Sequence, residues 1–500
     1  MHVPSFLSCF FKTLCIAGCL WLCPAQPARA QYALPTWAHH SPVSGQVPYE
    51  VRAAWLTTLS GLDWPRRPAR NADEAARQQR ELLQILDALQ QAGINTVLFQ
   101  ARIRSTTAYP SAIEPWDGAF SGTPGKSPGY DPLQFVTEAC HRRGMELHAW
   151  VVAFPICKAA VAKQLGKRAL PKQHPELCRL CGDQWMMDPG VPGTAPYLAA
   201  VCKEIAEHYD VDGIHLDYIR YPEPAIPFTD ARTYQRYGGG QPKSTWRSAN
   251  VDRCVQAVHD AVKAVRPWIK LSCSPVGKYA DLSRYSSFGW NARDAVHQEA
   301  QAWLRKGWMD MLFPMMYFDG VHYYPFLADW KENDAGRPVV PGLGIYFLNS
   351  REKNWPLLTV RRQMEVARSQ GLGGQAFFRV KFLLDNEKGL LDWLCADFYR
   401  TPALVPPMTW ADSVPPAAPA VSQQIDGQTL RLAWNEVADA TPVSYNVYRL
   451  DPTYGDMLLA KRLRATSFTT LLGLPALKYS RYVVTAVDAY GNESEPAVAQ

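Results

Sequence analysis

Short apolar runs alternate with amphipathic helical segments from Val51 to about Arg400. Continuous apolar runs separated by helices are typical of a parallel sheet that is covered on both faces. Eight runs have the length of a buried strand: RAAWLTT (from Arg52), TVLFQARI (from Thr96), ELHAWVVAF (from Glu146), GIHLDYIRY (from Gly213), KLSCSPVG (from Lys270), MLFPMMYF (from Met311), VVPGLGIY (from Val339) and GQAFFRVK (from Gly374). Eight such units predict an α/β fold, the (β/α)8 or TIM barrel, whose active site forms at the carboxyl ends of the strands.

Helical periodicity predicts six helices between these strands, at 73–92, 131–143, 197–209, 251–265, 294–306 and 360–370. Four of them are followed directly by glycine, at positions 93, 144, 307 and 371, where a helix commonly ends. Three long segments follow predicted strands, at 105–129, 155–193 and 222–248. Because long loops at that face of a barrel usually build the binding site, we expect these three to form a groove.

The composition changes after Arg400, where the segment 401–420 is rich in Pro and Ala and predicts a semi-rigid linker. We therefore assign 49–400 to the barrel and 421–500 to a second domain. Short alternating strands in this domain, TLRLAWNEV, SYNVYRL, SFTTLL and YSRYVVTAVD, predict an all-β sandwich. The positions of Trp434, Tyr445 to Tyr448 and Tyr482 to Val487 resemble a fibronectin type III domain, which implies a spacer or a module that contacts protein or glycan.

The N-terminal residues 1–30 have the pattern of a secretory signal peptide, and 31–48 form a predicted linker. Lys12 precedes a short apolar run, and Ala28-Arg29-Ala30 supplies small residues at a cleavage site. The segment Ile16 to Cys19 also resembles a bacterial lipoprotein box, in which Cys19 would carry a lipid anchor. Both alternatives predict export to the periplasm or outer envelope, and only the second attaches the protein to a membrane.

Composition narrows the classes of partner. The net charge of +6 over 500 residues comes without a basic block, so nucleic acid is excluded as a predicted partner. The 17 Trp and 23 Tyr residues suit stacking on sugar rings, although most aromatic rings belong to cores. Cys178 and Cys181 have the spacing of a zinc or redox pair, but no second such pair follows, and a local disulfide or free thiols are the preferred interpretation. We predict no cofactor.

The fourth predicted strand ends in an acid, an aromatic and a cation. Because side chains alternate along a strand, His215 and Asp217 share one face and Leu216 the other. Leu216 suits the helix-facing layer, which places Asp217 toward the barrel axis at the catalytic end. A buried carboxylate there is either functional or neutralised, and the structural alternative is a salt bridge to Arg102 or Arg220.

The same alternation places further polar and aromatic side chains inside the predicted mouth of the barrel. His148, His215 and Asp217 could alternatively bind a metal, but neither histidine has a second one two or four residues away. We predict no metal site. The predicted substrate-binding residues are Gln100, Arg102, His148, Trp150, His215, Tyr218, Arg220 and Tyr317.

Glycoside hydrolysis requires, in its usual forms, a second carboxyl across the scissile bond from the first. Asp319 follows the sixth strand and is the preferred partner of Asp217, because strand six can face strand four across the mouth. Glu223, just beyond the fourth strand, is the second candidate, and Glu114 in the second loop is the third. Substrate-assisted hydrolysis would need only Asp217.

Ordered motifs across most of this region resemble the glycosyl hydrolase-like 10 family of bacterial envelope proteins. They include Glu50 to Trp55, Gly61 to Pro65, Gly93 to Asn95, Gln100 to Arg102, Tyr109 to Ser111, Glu114 to Trp116, Pro128 to Leu133, His148 to Trp150, Asp188 to Gly190 and Asp210 to Tyr218. The resemblance implies a TIM barrel, export, and hydrolysis of glycan strands, with peptidoglycan lacking its stem peptides as the expected substrate. The alternative function is a non-catalytic protein that binds glycan at the barrel mouth and another molecule through its sandwich.

Overall fold

The computed structural model describes residues 41, 43–287 and 289–500. The predicted signal peptide, Cys19 and most of the predicted 31–48 linker lie outside the described residues. Within the described ranges, every helix falls short of the length and apolarity that a membrane crossing needs.

Eight parallel strands form the central sheet, as the sequence predicts. Their bounds are β1 Val51–Leu56, β2 Thr96–Arg102, β3 Glu146–Val152, β4 Gly213–Asp217, β5 Lys270–Cys273, β6 Met311–Leu312, β7 Gly342–Leu343 and β8 Gly374–Phe377. The hydrogen-bonded order is β7-β8-β1-β2-β3-β4-β5-β6. Two parallel bridges, Leu312 to Val339 and Met315 to Gly342, join the segments around β6 and β7 and close the ring. The predicted (β/α)8 barrel is therefore confirmed.

The helices lie outside this ring. Their bounds are α1 Ala72–Gln91, α2 Gly118–Ser121, α3 Pro132–His141, α4 Ala159–Leu165, α5 Leu170–Gln173, α6 Thr194–His208, α7 Ala231–Tyr237, α8 Lys243–Lys263, α9 Ala292–Val296, α10 Ala300–Arg305, α11 Tyr324–Glu332, α12 Leu357–Ser369, α13 Val380–Leu384 and α14 Leu390–Trp393. Short 3-10 turns lie at Leu59–Gly61, Gly166–Arg168, Pro175–Leu177, Gly320–His322, Ile345–Leu348, Glu387–Gly389 and Pro475–Tyr479, and Leu394–Phe398 is a π-helical turn.

Local signals explain where several helices begin and end. The side chains of Asn71 and Asp131 accept backbone N–H bonds at the first turns of α1 and α3. The four predicted stop glycines all have positive φ, which glycine adopts without a side-chain clash. The predicted helix 294–306 is instead divided into α9 and α10, because His297 adopts a left-handed backbone between them. The sequence did not predict α11, which begins directly after a 3-10 turn.

Two apolar layers stabilise the barrel. One cluster fills its interior and includes Trp55, Leu98, Trp150 and Phe313. A larger cluster lies between the strands and the helices and includes Leu216. Since Leu216 lies in this outer layer, its neighbours His215 and Asp217 point inward, as strand alternation predicts.

The loop after β3 forms a small antiparallel sheet of three strands, Pro155–Lys158, Cys178–Cys181 and Gln184–Met187. Its central strand is Gln184–Met187. Cys178 and Cys181 lie on this sheet as free thiols, and no cluster of metal-ligating side chains occurs within the described ranges. This sheet forms one wall of the barrel mouth.

The C-terminal residues form seven strands in two antiparallel sheets, which agrees with the predicted sandwich. The strands are β9 Val421–Asp426, β10 Thr429–Trp434, β11 Ser444–Leu450, β12 Met457–Leu463, β13 Ser467–Leu471, β14 Arg481–Val487 and β15 Ala497–Val498. One sheet has the order β9-β10-β13 and the other β12-β11-β14-β15. The Tyr482 hydroxyl donates to the carbonyl of Leu477 at 2.7 Å, a corner contact found in immunoglobulin-like sandwiches.

The sandwich lies against the amino-terminal end of the barrel, opposite the mouth. Arg462 bonds to Glu146 at 3.0 Å and to Asp212, two acids at the start of β3 and just before β4. Residues of the predicted 401–420 linker also contact the barrel, since Leu404 bridges to Tyr49 and the Trp410 indole donates to Asp310. The domain boundaries themselves, and a partner for the sandwich, stay predictions.

Candidate active site

A cleft of about 700 Å³ opens at the carboxyl ends of the strands. We call it the main cleft. It is lined by Thr57, Leu59, Leu62, Gln100, Arg104, Trp150, Val152, Pro155, Cys181 to Gln184, Met186, Asp217, Tyr218, Arg220 to Glu223, Ala225 to Pro227, Met315, Tyr317, Phe378 and Arg379. Two of the three predicted loops, those after β3 and β4, contribute to its walls.

A second cleft of about 400 Å³ adjoins the first. It includes Lys278, Trp290 and Phe318, and it shares Arg220, Glu223, Met315 and Tyr317 with the main cleft. The shared residues make the two clefts parts of one groove, which suits an extended substrate better than a small molecule.

Asp217 lies at the end of β4 with only 5% of its surface exposed. Its Oδ1 accepts hydrogen bonds from Ser274 Oγ and from the Tyr218 amide, both at 2.8 Å, and its Oδ2 accepts from Trp150 Nε1 at 3.1 Å. Burial raises the pKa of Asp217 above its ordinary value, and these donors together with the charge of Arg220 oppose that rise only in part. Neither predicted arginine forms an ion pair with it among the described residues. Asp217 is therefore a positioned carboxyl with a raised pKa inside a substrate-sized cleft.

Tyr218 follows with a left-handed backbone, at φ 51°. Such a conformation costs a non-glycine residue about 1–3 kcal/mol and is concentrated at functional sites. Tyr218 is 37% exposed, and the Arg220 guanidinium lies over its ring at 4.6 Å from the ring centre. Burial, with a contribution from the Asp217 charge, raises the pKa of Tyr317 well above its ordinary value, so that this phenol stays protonated. Both predicted aromatic residues line the main cleft.

Glu223 lines both clefts and is the second acid that the structure brings near Arg220. Its Oε1 accepts from Arg220 Nη2 at 2.9 Å. Burial raises the pKa of Glu223, but the charge and hydrogen bond of Arg220 outweigh burial, and the net shift is downward. Asp217 and Glu223 therefore have pKa values that their surroundings shift in opposite directions.

Asp319, the preferred second carboxyl, does not lie in either cleft. It is exposed, and its Oδ1 accepts from the Gly320 amide at 2.6 Å, where it caps the turn Gly320–His322. The expectation that it faces Asp217 is wrong, because the chain after β6 turns into this cap rather than continuing toward the barrel axis.

Arg102 and Glu114 are also placed differently from the predictions. The pairing of β2 with β3 shifts between Gln100 and Arg102, so one extra residue reverses the alternation and Arg102 leaves the inward face. Its guanidinium instead bonds to both oxygens of Glu114, at 2.6 and 2.7 Å, with both side chains fully buried. Neither residue lines the main cleft. The prediction that Arg102 contacts substrate and the suggestion that Glu114 is a catalytic carboxyl are therefore wrong.

The two inward histidines lie below the floor of the cleft. His215 is fully buried, accepts from the Trp55 indole at 3.3 Å and contacts Ser272 Oγ at 3.0 Å. Burial lowers the pKa of His215 well below its ordinary value, so the ring is neutral. His148, one layer further down, bonds to Glu146 at 3.1 Å. Neither histidine lines the cleft, and both stabilise the barrel interior rather than contact substrate.

Gln100 lines the main cleft, but its amide oxygen is already used. It accepts from Thr57 Oγ1 at 2.7 Å and from the amides of Thr58 and Leu59 at 3.0 and 2.9 Å. Gln100 therefore holds the loop after β1 against β2, and only the remainder of its side chain is open to substrate.

Sequence reasoning missed several residues of the cleft. Ser274, which donates to Asp217, directly follows β5. Arg379 and Arg104, which line the main cleft, each lie two residues after the end of a strand, β8 and β2 respectively, so attention to all eight strand ends would have found these three residues. Asp183, at the tip of the loop sheet, carries no comparable signal. It is exposed and pairs with Lys158 at 3.0 Å.

The chain is similar to known proteins over most of its length. The model of the family described as glycosyl hydrolase-like 10 matches residues 50–343. Glycosyl hydrolase YngK of Bacillus subtilis (strain 168) is 30% identical over 478 residues, which cover 89% of this chain and 92% of that protein. Glycosyl hydrolase DigH of Escherichia coli (strain K12) is 30% identical over 337 residues, 63% of this chain and 77% of that protein. The solved glycoside hydrolase domain of PgaB (BpsB) from Bordetella bronchiseptica aligns with 69% of this chain and 98% of its own, at 15% identity and a TM-score of 0.48.

Proposed function

Because this chain belongs to the glycosyl hydrolase-like 10 family, we propose that it hydrolyses glycosidic bonds in bacterial envelope glycan, namely peptidoglycan strands that have lost their stem peptides. The observation that carries this proposal is the buried carboxyl of Asp217, held by three donors at the floor of an aromatic-lined groove. A barrel that only supported its own fold would have no need for a carboxyl with a raised pKa at this end.

Opposite pKa shifts assign the two roles. In its usual forms, glycoside hydrolysis uses one carboxyl that carries a proton and one that is ionised. Asp217, whose pKa burial raises, is the general acid of the proposed reaction, and Glu223, whose pKa Arg220 holds down, is the ionised partner. The indole of Trp150 and the hydroxyl of Ser274 orient the acid toward the groove.

In the proposed step, Asp217 donates its proton to the glycosidic oxygen while the bond from that oxygen to the anomeric carbon breaks. One strand leaves as an alcohol. A new bond forms from the anomeric carbon either to a water that gives its proton to Glu223, or to Glu223 itself. In the second case, water then displaces Glu223 as a carboxylate and gives its proton to the ionised Asp217. The first route inverts the anomeric configuration and the second retains it.

The test compares the wild type with two variants that make the same chemical change at different places. Asp217→Asn should lower kcat on denuded peptidoglycan by about 100-fold or more, because general acid catalysis contributes 10²–10⁴-fold. Asp319→Asn, which alters the exposed cap outside the groove, should keep wild-type activity. Soluble fragments are identified by mass spectrometry, and folding is checked by circular dichroism. Full activity of Asp217→Asn would refute the assignment.

Glu223 needs a separate experiment, because its pairing with Arg220 gives it a structural role as well. Glu223→Ala should lose activity, and added azide should restore part of it if the carboxylate acts at the anomeric carbon. The configuration of the azide product or of the first reducing end, read by NMR, distinguishes the two routes. If activity is lost and azide does not restore it, while the alkaline limb of the pH profile that reports Asp217 stays at the wild-type pH, the role of Glu223 is to position Arg220.

A second candidate function is supported by one observation. Among the described residues that line the main cleft, Glu223 and Asp183 are the carboxylates besides Asp217, and each is already paired with a cation. A protein that binds glycan without cleaving it needs no free second acid. Binding of denuded strands without release of fragments, by wild type and Asp217→Asn alike, would favour this function.

We also propose export, on the basis of the 1–30 signal pattern. Fusion of residues 1–40 to a phosphatase that is active only outside the cytoplasm should give activity. Cys19→Ala separates the two forms of export, since labelled fatty acid should be incorporated by the wild type only if Cys19 carries a lipid. Lack of phosphatase activity would contradict both.

A further inference from the structure

Arg104 lies two residues beyond the end of β2 and lines the main cleft. It is half-buried. Its charge acts on the ring of Tyr218, whose pKa burial and the Asp217 carboxylate raise and Arg104 partly lowers. Arg104 therefore lies in the same cleft as the proposed acid and close to Tyr218, the residue that follows it.

Arg104 differs from the other cations of the cleft in having no partner. Arg220 pairs with Glu223 at 2.9 Å, and Arg379 pairs with Asp63. For Arg104, no hydrogen bond or ion pair occurs within the described part of the chain. Burial raises the pKa of Asp117 and the charge of Arg104 helps to lower it, but that carboxylate already accepts hydrogen bonds from Thr106 Oγ1 at 2.6 Å and from the Ala119 amide at 2.8 Å.

A half-buried guanidinium without a protein partner can bind an anionic ligand in the groove without first breaking another ion pair. Its planar group of five N–H donors suits a carboxylate in particular, which it can bind through two parallel hydrogen bonds. The nearby ring of Tyr218 offers an apolar face on which a sugar ring can stack. An acidic sugar could therefore place its ring against Tyr218 and its carboxylate against Arg104.

We propose that Arg104 binds a carboxylate carried by a sugar one position away from the cleaved bond. The identity of the sugar rests on the proposed function: in a peptidoglycan strand, the carboxylate is that of the lactyl group of muramic acid. A hexuronic acid carries a carboxylate of the same chemistry. In an intact strand the lactyl carboxyl is consumed in the amide bond to the stem peptide and carries no charge. Removal of the peptide exposes the carboxylate, so Arg104 gives the groove its preference for denuded strands.

The first experiment measures selectivity with one strand in two forms. Denuded peptidoglycan strands are compared with the same strands after reduction of the lactyl carboxylate to an alcohol. The wild type should favour the carboxylate form in kcat/KM by roughly 10- to 100-fold, the range that one charged hydrogen-bonded contact supplies. Arg104→Gln should bring this ratio close to one, and Arg104→Lys should keep part of it. Arg77→Gln, which removes an exposed cation of α1, should leave the ratio unchanged.

The second experiment measures binding without turnover, so that it is independent of the proposed hydrolysis. Calorimetry compares Asp217→Asn with the double variant Asp217→Asn/Arg104→Gln on both strand forms and on a hexuronic acid oligosaccharide. Tighter binding of either carboxylate ligand, lost in the double variant, supports the inference even if no strand is ever cleaved, and the tighter of the two identifies its source. Equal binding of carboxylate and reduced strands, or equal loss on both in the double variant, would overturn it while leaving the hydrolase proposal intact.

Discussion

The buried pair of Arg102 and Glu114 offers a decisive test of whether Glu114 supports the fold or the reaction. Glu114 accepts two hydrogen bonds from Arg102 and one from the Tyr197 hydroxyl at 3.0 Å. Arg102 also donates to the carbonyls of Val152, and of Ala153 at 2.8 Å. With the two side chains 0% and 1% exposed, no water can replace a lost partner.

Glu114→Gln keeps the shape of the side chain but leaves the guanidinium without a counter-charge and turns one acceptor into a donor. Breaking a buried ion pair from one side costs about 3–5 kcal/mol of unfolding free energy. Arg102→Met should cost a similar amount, because it leaves the carboxylate unpaired. The double variant Arg102→Met/Glu114→Gln should lose much less than the sum, since no unpaired charge remains.

Urea unfolding followed by tryptophan fluorescence measures these free energies, and kcat on denuded strands is measured at a temperature where each variant stays folded. Glu138→Gln, on the exposed face of α3, is the matched control and should change stability by less than about 0.5 kcal/mol. Wild-type stability in Glu114→Gln together with a kcat loss of 100-fold or more would refute the structural assignment and make Glu114 a catalytic residue.

Three further predictions follow from the site and the barrel. Trp150→Phe removes a hydrogen-bond donor that lowers the pKa of Asp217, so the pKa of this carboxyl should rise. The alkaline limb of the pH profile of kcat/KM, where a general acid loses its proton, should then move to higher pH, and the maximum of kcat/KM should fall. An alkaline limb at the wild-type pH would contradict the role of this contact. Burial holds the pKa of His215 in the folded protein below its value in the unfolded chain. The stability that the neutral ring contributes is therefore present above about pH 6.5 and is lost as the pH falls below it. In His215→Gln, the unfolding free energy should fall less steeply with decreasing pH below about pH 6.5, by at most about 1.4 kcal/mol per pH unit. Gly374 has φ 135°, and Gly374→Ala would place a Cβ 1.9 Å from a backbone oxygen of the neighbouring strand. The substitution should lower the free energy of unfolding, measured by thermal denaturation, by about 3 kcal/mol or more. The control Gly45→Ala adds a Cβ where no atom lies within 4 Å and should change this free energy little.

The arrangement of the sandwich changes how its role is tested. Arg462 bonds to two acids at the amino-terminal end of the barrel, and Arg464 bonds to Asp210 at 2.6 Å. A module held in this way on the face opposite the groove is oriented with the barrel rather than free on its linker. A partner of the sandwich would therefore fix the direction in which the groove meets its glycan.

The order of apolar and polar positions was sufficient to determine the barrel, the sandwich and the inward direction of Asp217. Strand alternation and helix periodicity are local properties, and eight repeats of strand and helix leave few ways to bury both faces of the sheet. Asp217 follows from the same local rule, because regular pairing continues to the end of β4.

Only the tertiary structure decided the remainder of the site. One extra residue in the pairing of β2 with β3 directed Arg102 to Glu114, and a local cap directed Asp319 into solvent. Both outcomes depend on hydrogen bonds made after a strand ends, where side-chain alternation no longer applies and partners distant in sequence compete. The sequence also does not determine that Arg104 lacks an ion-pair partner, because this depends on which other side chains bind the nearby carboxylates in the folded chain. The sequence by itself thus determined where the groove lies, and the folded chain determined which charges remain in it for a substrate.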